Sequence, residues 1–156
     1  MSEKPPDEIA LRKQILYGVG LFAGISEPAF KFLAEKAADS RFHAGQIIVR
    51  QGDPGTKLFV IAEGEVRVLR QGRHGDLEVA RMKAGDFFGE MCILEQLPRS
   101  ATVEAVRDTH IVLLSYAVFE RLFEEMPREH HCILANMARS LSARLRELGD
   151  FFALRS

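Results

Sequence analysis

Between Gly45 and Ser115 the chain runs in brief apolar stretches punctuated by glycines at positions 45, 52, 55, 64, 72, 75, 85 and 89. That rhythm constrains the fold more than any other feature, because it favours short strands closed by tight turns over helices of ordinary length. Ile47-Ile48-Val49, Leu58-Phe59-Val60-Ile61, Val66-Arg67-Val68, Leu77-Glu78-Val79 and Ile111-Val112-Leu113-Leu114 are rich in β-forming residues, and Val66 and Val68 alternate with polar neighbours. These runs read as strands. Gly52-Asp53-Pro54-Gly55 and Glu63-Gly64-Glu65 supply turn chemistry between them. The segment predicts an antiparallel roll or barrel.

The flanks have a different period. Glu8 to Val19 reads as a helix followed by Gly20, and Ser26 caps a second one through Ala29, Phe30, Leu33 and Ala37. Pro28 falls in that helix's first turn, where its missing N–H costs little. After Ser115, Val118, Phe119, Leu122 and Phe123 follow a helical period to Met126, and Pro127 starts a long last helix. Along it Leu134, Ala138, Leu141, Leu145, Leu148 and Phe152 are spaced 4, 3, 4, 3 and 4. Such an apolar seam packs on its own domain or against a second copy. The expected fold class is therefore mainly β with flanking helices. It is an antiparallel, jelly-roll-like β-roll (a double-stranded β-helix) with N-terminal helices and two C-terminal helices. One domain, 1–156, divides into a helical segment 1–44, a roll 45–115 and closing helices 116–156.

A chain of 156 residues, 47% apolar and 28% charged, suffices for one core. Its net charge of −1 gives no general attraction to nucleic acid or to an acidic membrane, so any anion site is local. Cys92 and Cys132 have no metal spacing and suggest no disulfide framework, which fits a reducing cytoplasm. Met1 to Ile9 lacks the apolar core of a signal peptide, and no run reaches the length of a membrane span. His130-His131 point different ways on a helix and make a poor metal site. No nucleophile elbow, Walker loop or paired-carboxylate signature is present, so the expectation is a binder, not an enzyme, without metal or cofactor. Arg139, Arg144, Arg146 and Arg155 crowd the last helix, where basic residues are favoured anyway. With the chain ending at Ser156, short of a helix-turn-helix, direct nucleic-acid binding is not expected.

The chemistry concentrates in Phe88-Gly89-Glu90-Met91-Cys92-Ile93-Leu94-Glu95-Gln96-Leu97-Pro98-Arg99-Ser100-Ala101-Thr102-Val103. Gly89 followed by Glu90 and an apolar run suits a short helix whose first N–H groups lack partners and can face an anion. Pro98 breaks that helix and sends the chain out extended, placing Arg99 at the start of a strand. An arginine fork can make two parallel bonds to phosphate oxygens, and an ionised Glu90 accepts from a hydroxyl such as that of a ribose. A Glu90–Arg99 salt bridge beside a surface turn is the alternative. Cys92 reads as a small buried packing residue.

This string resembles the phosphate-binding cassette of the cyclic-nucleotide-binding domain family, found in regulatory subunits of cyclic-AMP-dependent protein kinase, cyclic-nucleotide-gated channels and catabolite-activator-type bacterial regulators. The likeness extends from Gly20 to Leu148 in element order. It implies a site formed by Phe88, Gly89, Glu90, Met91, Cys92, Arg99, Ser100, Ala101 and Val103. Arg99 would pair with the cyclic phosphate, Glu90 would take the ribose 2′-hydroxyl, and amides near Gly89 and Ala101 would complete the anion site. Arg144 and Leu145, from the last helix, would cover the purine. Ser100 stands where a threonine often accompanies cyclic GMP, which tilts the expected ligand to cAMP over cGMP; a hydroxyl satisfying a strand-end backbone group is its alternative. The resemblance implies a sensor that moves its C-terminal helices, acting alone, as a homodimer through the last helix, or on an effector protein. A scaffold of the same fold without ligand is the competing expectation.

Overall fold

The computed structural model describes residues 5–155; Met1 to Lys4 and Ser156 lie outside the described residues. Helices α1 (Pro6–Tyr17) and α2 (Glu27–Lys36) precede eight strands. These are β1 (Ala38–Phe42), β2 (Ile47–Val49), β3 (Lys57–Glu63), β4 (Glu65–Gly72), β5 (Gly75–Lys83), β6 (Phe87–Phe88), β7 (Thr102–Ala105) and β8 (Thr109–Ser115). Helices α3 (Tyr116–Glu125) and α4 (Pro127–Ala153) close the chain. All pairings are antiparallel, in two four-stranded sheets ordered β1-β8-β3-β6 and β2-β7-β4-β5.

The period of two explains why β3 and β8 are apolar on consecutive residues. Leu58 and Val60 of β3, with Val112 and Leu114 of β8, face the helices and join Leu16, Phe22, Leu33, Phe119 and Leu122 in one core. Phe59 and Ile61, with Ile111, face the interior of the roll and meet Val66, Phe88 and Val103 in a second. The central strands are thus the floor of two cores.

Ser26 caps α2 as its sequence predicts, accepting from Ala29 N at 3.4 Å. Strand β1 carries the polar string Ala-Asp-Ser-Arg-Phe and is stabilised from outside. Asp39 accepts from Arg12 Nε at 2.8 Å, and its other oxygen lies 2.8 Å from His110 Nε2. Arg12 is buried despite its charge, so α1 docks through an ion pair as well as through Leu16.

The first half of α4 is fastened to the loop before α2. Asn136 Nδ2 donates to the carbonyls of Leu21 (3.0 Å) and Ala23 (2.8 Å), and Glu129 accepts from Ser26 N at 2.8 Å. Its buried face is His130, Ile133 and Met137, with Leu134 and Leu141 half in. The expectation that the seam packs on its own domain is corrected beyond that point: Leu145, Leu148 and Phe152 are 69%, 53% and 66% exposed, because α4 runs past the end of the body it packs on. Phe123, which follows the helical period of Val118, Phe119 and Leu122, is also exposed.

Candidate functional site

The cassette's short helix forms after Gly89 as expected, while Arg99 is placed differently. Residues Glu90–Ile93 make a single 3-10 turn, and Arg99 sits in a loop ahead of β7, not in a strand. That loop is held by the Gly52–Gly55 turn. Arg99 N donates to Asp53 O at 2.7 Å, Gly52 N to Arg99 O at 2.8 Å, and Gly55 N to Leu97 O at 3.1 Å. Pro54 and Pro98 form a bridge between the two segments. Prolines lack the N–H for a ladder, so the neighbouring residues carry these bonds.

Arg99 is aimed inward. Its Nη2 donates to Lys57 O at 2.8 Å, its guanidinium stands 5.2 Å from the centre of the Phe59 ring, and Phe59 stacks on Phe88 at 4.7 Å. Its Nε is buried without a hydrogen-bond partner. Burial lowers its pKa from the usual arginine value, which marks a cation held under partial desolvation. Gly89, at φ +81°, lets the backbone pass close under it: a Cβ there would stand 2.5 Å from Arg99 Nη1 and 2.7 Å from Lys57 O.

Above these residues is a cavity of about 280 Å³. One end is polar, formed by Gly89, Arg99, Ser100 and Ala101; the walls are Val49, Val68, Met82, Phe88 and Val103. Glu90 lines it with a side chain only 12% exposed, and its Oε1 accepts from Arg144 Nη1 at 2.9 Å. The alternative of a Glu90–Arg99 bridge does not form; each residue has another partner. Burial pushes the Cys92 thiol up to about 11, so it is a protonated, apolar wall.

The structure therefore brings ten of the sequence-derived residues to one cavity: Phe88, Gly89, Glu90, Met91, Cys92, Arg99, Ser100, Ala101, Val103 and Arg144. Leu145 is not with them. One residue along α4 from Arg144 is a rotation of about 100°, and Leu145 faces outward. Sequence reasoning missed Lys57, whose carbonyl carries no side-chain signal. It also missed Phe59, hidden in an apolar run, and Val68 and Met82 on the β4–β5 hairpin. A guanidinium with an unpartnered N–H, a mostly buried carboxylate and apolar walls together suit an anion attached to a hydroxylated, flat apolar body.

The family model described as "Cyclic nucleotide-binding domain" matches residues 40–126. This chain belongs to the cyclic-nucleotide-binding domain family. It is 35% identical over 104 residues to the cGMP-dependent protein kinase egl-4 of Caenorhabditis briggsae, covering 67% of this chain and 13% of that kinase. It is 34% identical over 116 residues to the cAMP-dependent protein kinase regulatory subunit of Dictyostelium discoideum, covering 72% of this chain and 36% of that subunit. The chain thus spans well under two thirds of these curated relatives. Among solved structures, a cyclic nucleotide-binding domain from Methylobacillus flagellatus KT superposes with a TM-score of 0.80 at 26% identity, covering 96% of this chain and 85% of that one. The β-roll and the cyclic-nucleotide-binding, regulatory class of the domain follow. Among the described residues, no helix is long and apolar enough to cross a membrane.

Proposed function

We propose that this domain senses a cyclic purine nucleotide, cAMP in preference to cGMP, and reports its arrival by rearranging α3 and α4. The observation that carries the reading is the 2.9 Å bond between Arg144 of the last helix and Glu90, the carboxylate facing the cavity. A ribose hydroxyl entering the cavity seeks the same carboxylate. Once it donates to Glu90, Arg144 is freed to lie over the purine face, where a guanidinium stacks well. The cyclic phosphate takes the unpartnered Nε of Arg99 and competes with Lys57 O for its fork. The first half of α4 is clamped by Asn136 and Glu129, so the motion of α4 concentrates beyond Met137, while α3 follows the cassette turn through the core that Ile93 shares with Phe119 and Leu122.

Ser100, exposed at the polar end, supports the adenine preference, since it stands where a threonine often accompanies guanine in this family. The domain acts as a binder, not an enzyme, in the cytoplasm. The relatives named for cAMP- and cGMP-dependent kinases support regulation of an effector protein. The outward Leu145, Leu148 and Phe152 support self-association through α4. Sedimentation across a concentration series reads that association, and a monomer at every concentration sinks it.

Isothermal titration calorimetry with both nucleotides tests the ligand reading. Arg99→Ala is expected to weaken binding by about 2–5 kcal/mol, roughly 30- to several-thousand-fold, because it leaves a desolvated phosphate unpaired. No heat with either nucleotide, or an Arg99→Ala protein binding within about threefold of the parent, overturns the site. Binding of cGMP equal to or tighter than that of cAMP overturns the preference.

A further inference from the structure

A second cavity, of about 300 Å³, opens where the cassette turn meets the last two helices, lined by Ile93, Tyr116, Glu120, Phe123, Glu124 and His130. Ile93 forms an apolar floor. His130 is nine-tenths buried, and its ring has no hydrogen-bond partner among the described residues; its neighbour is the Phe123 ring, edge-on with centres 5.2 Å apart. Burial lowers the His130 pKa, so the ring is neutral near pH 7 and brings no positive charge.

The rim has the opposite character. Glu120 and Glu124 lie four residues apart on α3, an arrangement in which like charges repel. Neither is in an ion pair among the described residues, no lysine or arginine lines the cavity, and Arg121 is already taken by Glu125 at 3.1 Å. The Glu120 carboxylate beside Tyr116 raises the pKa of its phenol. Phe123 leaves a ring 59% exposed beside these carboxylates.

We propose that this cavity is a second binding site, for an organic cation: the head of an alkylguanidinium or alkylammonium group. Aromatic rings attract such a head by their quadrupole, the two carboxylates supply its counter-charge, and its alkyl stem finds Ile93. An anion is repelled by the same carboxylates. A neutral apolar guest would crowd them without giving them a partner. The site is independent of the nucleotide reading, and its test is run without nucleotide.

Butylguanidinium is titrated into the isotope-labelled full chain while the His130 imidazole and Phe123 ring resonances are followed by nuclear magnetic resonance. Saturable shifts of both are expected, with none from the neutral isostere butylurea. The exposed double substitution Glu120→Gln/Glu124→Gln, its fold checked by circular dichroism, is expected to weaken binding by about tenfold. A capped arginine peptide run in parallel separates the sources. Tighter binding than the free cation points to a protein side chain, and equal or weaker binding to a small amine, either of which supports the site. No saturable shift, equal binding of butylurea, or unchanged affinity in the folded double variant overturns it.

Discussion

Gly89 shows how a single residue without a side chain sets the site's geometry. It holds φ +81° at the start of the cassette turn and leaves the space that Arg99 and the Lys57 carbonyl occupy. An alanine there meets two independent penalties, a left-handed backbone and a contact with groups that have little room to retreat. Gly89→Ala is expected to destabilise the fold by about 1–3 kcal/mol, read as a lower urea midpoint at unchanged slope, and to weaken nucleotide binding by displacing Arg99. An unchanged midpoint would show that the turn can rebuild without a positive φ. At this scale the sequence was informative where chemistry is local: Glu90 and Arg99 fall within one short string and share a cavity. It was silent on the partners that hold them. Lys57 contributes a carbonyl, and Arg144, 54 residues from Glu90 and placed near the purine by resemblance, bonds the carboxylate instead.

Elements whose hydrophobic period is complete were legible, and those stabilised by distant polar partners were not. Strands β3 and β8 are dense in β-branched and aromatic residues because they face two cores, so their strings announce them. Strand β1 has no such pattern; it exists because β8 offers an edge and because Arg12 and His110 converge on Asp39. The seam of α4 was read as continuous because spacing reports which residues share a face, not where the body beneath that face ends. The Asp39 cluster also makes a prediction. Burial pushes the Asp39 carboxyl up, but hydrogen bonds from Arg12 and His110 together outweigh it, and the folded-state pKa lies below the ordinary 3.8. A depressed carboxyl pKa contributes stability above the unfolded value, and that contribution is lost as pH falls through the folded one. Asp39→Asn is expected to cost about 2–3 kcal/mol at neutral pH. This is less than the removal of a fully buried partner, because Asp39 is 35% exposed. Urea denaturation from neutral pH down to about pH 3 checks the sign: the gap between parent and variant closes in acid. A gap that stays constant with pH would place the stabilisation elsewhere.

At the scale of the whole molecule, the ligand cavity, the cassette and the last helix are joined by the Arg144–Glu90 side-chain bond, while the helical core is joined to the same helix by several. Asn136, Glu129 and the buried Ile133 and Met137 make the first half of α4 part of the body. Beyond Leu141 a side-chain bond from Arg144 to Glu90 ties the helix back to the roll. A ligand can shift the position of that distal half only through a difference in free energy between its states, and competition for Glu90 supplies one. Cutting the link should therefore separate binding from its report. Arg144→Ala removes a partly exposed ion pair that competes with the ligand for Glu90, worth about 0.2–1 kcal/mol. It also removes the purine stacking of the freed guanidinium, worth about 0.5–1 kcal/mol at an exposed site. The two losses act in opposite directions, so nucleotide affinity is expected to stay within about fivefold of the parent. The report should be lost. In the parent, amide exchange across 140–148 is expected to change on adding cAMP, because the tether changes partners. In Arg144→Ala those amides are expected to exchange quickly with or without nucleotide, since nothing is left to release. A variant that still shows the parent's ligand-dependent change in 140–148 would mean that the signal travels through α3 and the cassette turn, with Arg144 a bystander.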